Sequence, residues 1–285
     1  MRFMMLVKAT QDFEAGVLPD EKMLSEMAKY TEELVKAGTL LGCERLQPSS
    51  MGTRVRYAQG RFTVIDGPFT ETKELIAGFC LIEAKSREEA IELARRIPLE
   101  EGEVEVRPLY ELPHFPVDAA EQPDGWRDKE EQIRAAPPPR RPGTVRYMAL
   151  VKADKNTEAG CLPSEKFLAE MGAFMEEGVR SGVYLSGEGL QPSSTGARVR
   201  YSGSQRLVTD GPFAETKELV GGYAILQFAS HAEALESTKR FVQLDASGRL
   251  NGECECEIRP VFEFEGFGPS EAVERFRRME IGAKP

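Results

Sequence analysis

Residues 65–75 read "IDGPFTETKEL", and residues 209–219 read "TDGPFAETKEL". Two near-identical undecapeptides in one chain of 285 residues call for a comparison of everything around them. A shift of 144 positions, with no gap, aligns "MRFMMLVKA" at the start with "VRYMALVKA" at 145–153, and "LQPSSMGTRVRY" at 46–57 with "LQPSSTGARVRY" at 190–201. Past about Ile82 the shift becomes 152, so that "EVRPLYEL" at 105–112 meets "EIRPVFEF" at 257–264. The second half therefore carries an eight-residue insertion, placed in "LDASGRLNG" at 244–252. A period this long is that of a duplicated domain and not of a solenoid repeat.

Both copies show the same order of elements. Arg2–Ala9 is an apolar strand. Leu24, Met27, Leu34 and Val35 recur at helical spacing over about 20–37, and Gly38 stops that helix. A second strand runs through Leu40 and Leu41, and "TRVRYAQGRFTVIDG" alternates about Gln59-Gly60 as a hairpin does. "AGFCLIEA" is a third core strand. "SREEAIELARRI" is a helix with Ser86 as N-cap and Glu89 completing a capping box, and "EVEVRPLYEL" is the closing strand. Strand–helix–strand–hairpin–strand–helix–strand is the split βαβ order of a ferredoxin-like α+β domain. Such a sheet has helices on one face only, so the other face needs a cover. The second copy supplies it, and the expectation is two sheets packed face to face as an internal pseudo-dimer. The boundaries are copy one at 1–112, a Pro-rich linker with a short helix at 113–144, copy two at 145–265 and a C-terminal helical tail at 266–285.

Composition narrows the function classes. With 41% hydrophobic and 29% charged residues the chain is of ordinary globular make-up. A formal charge of −10 argues against nucleic acid as a partner. No apolar run reaches the ~18 residues of a membrane helix, so no membrane contact and a cytoplasmic location are expected. The five cysteines occupy unmatched positions in the two copies, and reduced thiols are expected in place of a disulfide framework. Cys254-x-Cys256 has no further Cys or His to complete a zinc set, so no metal is expected.

The residues quoted resemble the DGPF family of the YCII-related superfamily, in both copies. The resemblance rests on Asp66-Gly67-Pro68-Phe69 and Asp210-Gly211-Pro212-Phe213, the "ETKE" after each, the "LVKA" strand and the "RP" of the last strand. It implies ferredoxin-like domains assembled as a dimeric α/β barrel. In some members it implies an acid–base site built on a His–Asp pair, and in others an accessory role beside sigma factors. This chain departs from that pattern. Its histidines are His114, in the linker, and His231, whose counterpart is Arg87.

The candidate site follows from the motif. Asp66 and Asp210, each ending a strand before Gly-Pro, have the position of a general base if burial tunes them. Lys73 and Lys217 have the reach to pair with them or to hold an anion. Glu71, Glu215, Glu74 and Glu218 are further acid–base candidates, and Pro68, Phe69, Pro212 and Phe213 would line a ligand pocket beside them. The structural alternative is equally physical: Asp-Gly makes a turn, Pro fixes φ and Phe plugs the core. Arg54, Arg56, Arg198 and Arg200 form either an anion clamp or a solvated hairpin face, and Ser49, Ser50, Ser193 and Ser194 either donate hydroxyls to a ligand or, by default, make turns. Three functions stay open: small-molecule binding in a pocket lined by the DGPF loops, cofactor-free isomerase- or lyase-type chemistry with Asp66 and Asp210, and an accessory role in transcription. A further homodimer is compatible with each.

Overall fold

The computed structural model describes residues 1–70, 75–111, 139–161, 163–213, 219–263 and 270–279. Copy one gives β1 (Arg2–Lys8), α1 (Gln11–Glu14), α2 (Glu21–Lys36), β2 (Leu40–Arg45), β3 (Thr53–Ala58), β4 (Arg61–Asp66), β5 (Ile76–Glu83), α3 (Arg87–Arg95) and β6 (Glu101–Pro108). Copy two repeats the order as β7 (Val145–Lys152), α4 (Lys155–Glu158), α5 (Glu165–Arg180), β8 (Tyr184–Gly189), β9 (Ala197–Ser202), β10 (Gln205–Asp210), β11 (Val220–Phe228), α6 (His231–Gly248) and β12 (Cys254–Pro260). A last helix, α7 (Glu271–Arg278), lies against α2 through the paired Arg275 and Glu32, 2.7 and 2.8 Å apart. The linker stretch 112–138 lies outside the described residues, so the expected short helix there does too.

Local chemistry sets the helix ends. Asp20 and Ser164 cap α2 and α5 by accepting the N–H of Met23 and Phe167. Ser86 caps α3 as expected, accepting from Glu89 N–H, but the Glu89 carboxylate reaches back to Lys85 N–H and not to Ser86. The inserted residues of copy two differ from expectation: 244–248 extend α6 to 18 residues, against nine in α3.

The twelve strands form two antiparallel sheets, ordered β10-β9-β6-β1-β5-β2 and β4-β3-β12-β7-β11-β8. The orders show an exchange that the sequence order conceals. Each hairpin leaves its own copy: β9–β10 extends the sheet of copy one through β6, and β3–β4 extends that of copy two through β12. The crossing happens just after β2. Phe262 N–H donates to Arg45 O and Gln47 N–H to Pro260 O, which ties the chain to the end of β12 before the Ser49–Met51 turn starts β3.

Period-two alternation then builds three apolar layers. Met4 and Leu6 of β1 face Met148, Leu150, Tyr223 and Ile225 between the sheets, while Phe3 and Met5 face the helices with Tyr30, Leu34 and Ile82. Tyr147, Phe228 and Val242 make the helix-side core of copy two. The expected face-to-face pseudo-dimer is present. The expected closed barrel is not: besides the exchanged hairpins, the described sheets meet at the isolated bridges Leu46↔Val261 and Leu109↔Leu190 and stay two sheets.

One chemical expectation is corrected. Cys43 and Cys80 lie directly opposite each other on β2 and β5, with Cα atoms 4.1 Å apart, and are joined by a disulfide. Strand register brings them together, and a spacing of 37 residues gives no hint of it. Cys161, Cys254 and Cys256 are free.

Candidate functional site

The DGPF residues dock onto the "PSS" turn of the same copy. Gly67 N–H donates to Gly52 O at 2.9 Å, and Phe69 N–H donates to the Ser49 hydroxyl at 3.1 Å. The Ser49 hydroxyl in turn donates to the Glu14 carboxylate, which also accepts from Ser49 N–H. A Cβ on Gly67 would collide with the Ser49 carbonyl, so only glycine allows this approach. The Gly67-Pro68 bond is cis. Phe69 is buried and lies beneath the Arg54 guanidinium, 4.1 Å from ring centre to charge.

Arg54 leads into a buried ionic chain. Its Nε donates to Glu257 at 2.8 Å, Glu257 pairs with fully buried Arg259 at 3.1 Å, and Arg259 approaches Glu14 at 3.5 Å. The second copy repeats it: Ser193 with Glu158 and Phe213 N–H, Arg198 over Phe213, and Arg198, Arg107 and Lys8 around Glu105. Burial alone would raise the Glu105 carboxyl, but Lys8, Arg107 and Arg198 outweigh it and hold it below the usual range. Each chain draws residues from both copies, so these ions bolt the exchanged hairpins in place. Arg54 and Arg198 are thus engaged, and Arg56 pairs with Glu253 at 2.7 Å. Cys254 and Cys256 are buried thiols whose ionisation burial pushes upward.

The two aspartates differ in their surroundings. Asp66 is exposed, and its Oδ1 accepts from the buried Thr53 hydroxyl at 2.8 Å. The same hydroxyl oxygen lies 3.1 Å from His231 Nε2, at the first turn of α6 in the other copy. Asp210 is instead bound by Arg87, which also donates to the carbonyls of Thr195 and Gly196 at 3.1 and 2.8 Å. Where copy one has Thr53, copy two has Ala197, which offers Asp210 no hydroxyl. His231 belongs to no repeated motif, since its counterpart in copy one is Arg87. The hairpin exchange brings it to Asp66 across 165 positions, and the only hint was that Arg87/His231 and Thr53/Ala197 differ between otherwise similar copies.

Pro68 and Pro212 are exposed beside these turns. Lys73, Glu74, Lys217 and Glu218, with Glu71 and Glu215, lie outside the described residues. A cavity of about 340 Å³ lies elsewhere, between α5, α6 and the second sheet, and no described DGPF residue lines it.

Comparison with known proteins agrees with this duplicated architecture: the YCII-related domain matches residues 1–113 and again 145–264. The chain belongs to the YCII-related family. Its two YCII-related domains are the two copies that exchange hairpins. A curated relative, the "Uncharacterized protein R00369" of Rhizobium meliloti (strain 1021), is 38% identical over 93 residues. Those residues are 32% of this chain and 75% of the relative. No helix among the described residues of this YCII-related chain is long and apolar enough to cross a membrane.

Proposed function

We propose that this YCII-related protein moves protons on a small substrate at the first DGPF loop, with His231 and Asp66 as the working pair and Thr53 between them. The observation that carries the reading is the Asp66–Thr53–His231 chain. A threonine hydroxyl has one hydrogen to give. Given to Asp66, it leaves the oxygen free to accept from Nε2–H, so the neutral ring presents Nδ1 as its basic atom. A proton taken up at Nδ1 makes an imidazolium whose Nε2–H still faces the Thr53 oxygen. This is the arrangement of a general base with a fixed tautomer, suited to abstraction beside a carbonyl and hence to isomerase- or lyase-type chemistry. The second loop lacks these parts: Arg87 stands where copy two has His231 and holds Asp210 in an ion pair, and a guanidinium offers no lone pair to take a proton. The reactive assignment therefore goes to Asp66 and not to Asp210.

The test is deuterium wash-in at carbon. Small α-keto acids, lactones and enolisable ketones are incubated with protein in D2O and followed by proton NMR. The wild type and Asp210→Asn are expected to exchange α-protons of at least one compound, with Asp66→Asn and His231→Gln slowed ~100-fold or more, the usual scale of a lost acid–base group. Thr53→Val should slow exchange and also move the His231 ring signals away from the Nε2–H tautomer. Equal exchange by wild type and His231→Gln, or exchange by none, ends the proposal.

A further inference from the structure

The two helix layers of this molecule are built alike and filled differently. In copy one, α2 lies close on its sheet: Leu34 is 3% exposed, and the Tyr30 hydroxyl donates to Leu93 O of α3 at 2.9 Å, tying the helices together. In copy two, the positions matching Leu34, Tyr30 and Leu93 are Gly178, Phe174 and Ser237. The plug is gone, the hydroxyl tie is gone, and a leucine on the facing helix has become a serine. Whereas α2 buries Ala28, Tyr30, Thr31 and Leu34, none of the described side chains of α5 is buried. Phe174, Gly178 and Ser237 all line a cavity of about 340 Å³, with Tyr184 standing against Gly178 at its edge.

Its walls are Phe174, Met175, Leu226, Phe228 and Phe241, with the Phe174 and Phe241 rings tilted 6.2 Å apart. The charged residues lining its mouth are Glu177, Glu233, Glu236 and Arg240. Arg240 is held by Glu177 at 2.8 Å, and neighbouring Lys239 by Glu236 at 2.7 Å. Glu233 adds a further carboxylate, accepting Ala229 N–H. Three lining carboxylates against one paired lining cation disfavour an anion, while a neutral ring would meet aromatic faces and edges at the bottom.

We propose that the space between α5, α6 and the second sheet is a binding site for a small neutral aromatic molecule, present in the second copy and filled in by side chains in the first. It is separate from the Asp66 loop and does not depend on the chemistry proposed there.

The probe pair is 2-naphthol and 2-naphthoate, titrated calorimetrically into the full chain. One molecule of 2-naphthol is expected to bind with Kd of roughly 10–100 μM, within reach of an eleven-atom ligand, and 2-naphthoate at least ~tenfold more weakly. Gly178→Leu/Tyr184→Leu restores the copy-one residues, Leu34 and Leu40, and should abolish binding without lowering the melting temperature. Tyr184 is changed together with Gly178 because its ring stands against that glycine, with Cγ 4.0 Å from where an added Cβ would lie, and the branches of a leucine at 178 need that space. Should that double variant fold poorly, Ser237→Leu fills the cavity from α6 and decides the matter. Unchanged 2-naphthol binding in a folded, filled variant overturns the proposal. So does the absence of 2-naphthol binding, or equal affinity for the carboxylate.

Discussion

Replacing Gly67 by alanine tests whether the DGPF stretch is locked onto the serine turn as described. A Cβ on Gly67 would fall inside the envelope of the Ser49 carbonyl oxygen and 2.6 Å from its carbon. Apolar carbon contacts settle near ~3.5 Å, so the loop would have to retreat by about 1 Å. Such a retreat breaks the two bonds that define the docking, Gly67 N–H to Gly52 O and Phe69 N–H to Ser49 Oγ. Leaving those buried groups unpaired costs about 1–3 kcal/mol each. Lifting Phe69 from its place under Arg54 adds about 1 kcal/mol more. The expected loss is therefore about 3–7 kcal/mol, at the severe end for one methyl group. Urea unfolding followed by fluorescence and circular dichroism gives the number. Gly42→Ala is the internal control, since the only atom near its added Cβ is Leu81 Cδ1 at 3.9 Å. Gly211→Ala should match Gly67→Ala, because Gly211 meets Ser193 in the same way. If Gly67→Ala falls within about 1 kcal/mol of the wild type, the loop is not held as argued here and the motif's glycine must be explained by function.

Two more expectations follow from buried chemistry. Glu105 has a folded-state pKa below its unfolded value of about 4.3. Its contribution to stability is therefore complete above that value and drains as pH falls through the folded one. Urea midpoints between pH 6 and 3 should show this loss in the wild type. Glu105→Gln should be less stable at pH 7 by about 3–5 kcal/mol, through stranded Lys8, Arg107 and Arg198, yet flatter across the acid range; an acid limb as steep as the wild type's counts against the assignment. With Cys43 and Cys80 bridged, thiol titration of the unreduced, denatured chain should count three of the five cysteines, rising to five after dithiothreitol. Five before reduction would remove the bridge.

Much of the fold was legible, and the reasons are local. The helix at 20–37 is there, at Glu21–Lys36, because an apolar stripe, an acidic cap and Gly38 at φ +69° are all short-range signals. The hairpin was legible as a hairpin for the same reason, through Gln59-Gly60. Its destination was not. Arg54 and Arg56 alternate identically whether β3 adds to β6 or to β12, and the choice is made at Gln47 by hydrogen bonds to a strand some two hundred residues away. The candidate site divides along the same line. Asp66 could be picked out from a motif, whereas Thr53 carried no signal of its own and His231 required the exchange to be known. The disulfide was hidden likewise behind strand register, and the extent of the cavity behind three differences between the copies, at Phe174, Gly178 and Ser237.

The exchange of hairpins also sets a timetable for synthesis. When copy one has left the ribosome, β6 still presents a bare edge, since its partner β9 begins at Ala197. Its own β3–β4 waits longer, until Cys254–Pro260 has been made. Domains commonly fold one after another as they emerge. This chain has no such option, because the sheet of copy one is complete only at Asp210, well inside copy two, and the other only at Pro260. A nascent chain stalled between the copies would expose an open strand edge and an unpaired apolar hairpin, the features that recruit chaperones or seed aggregation.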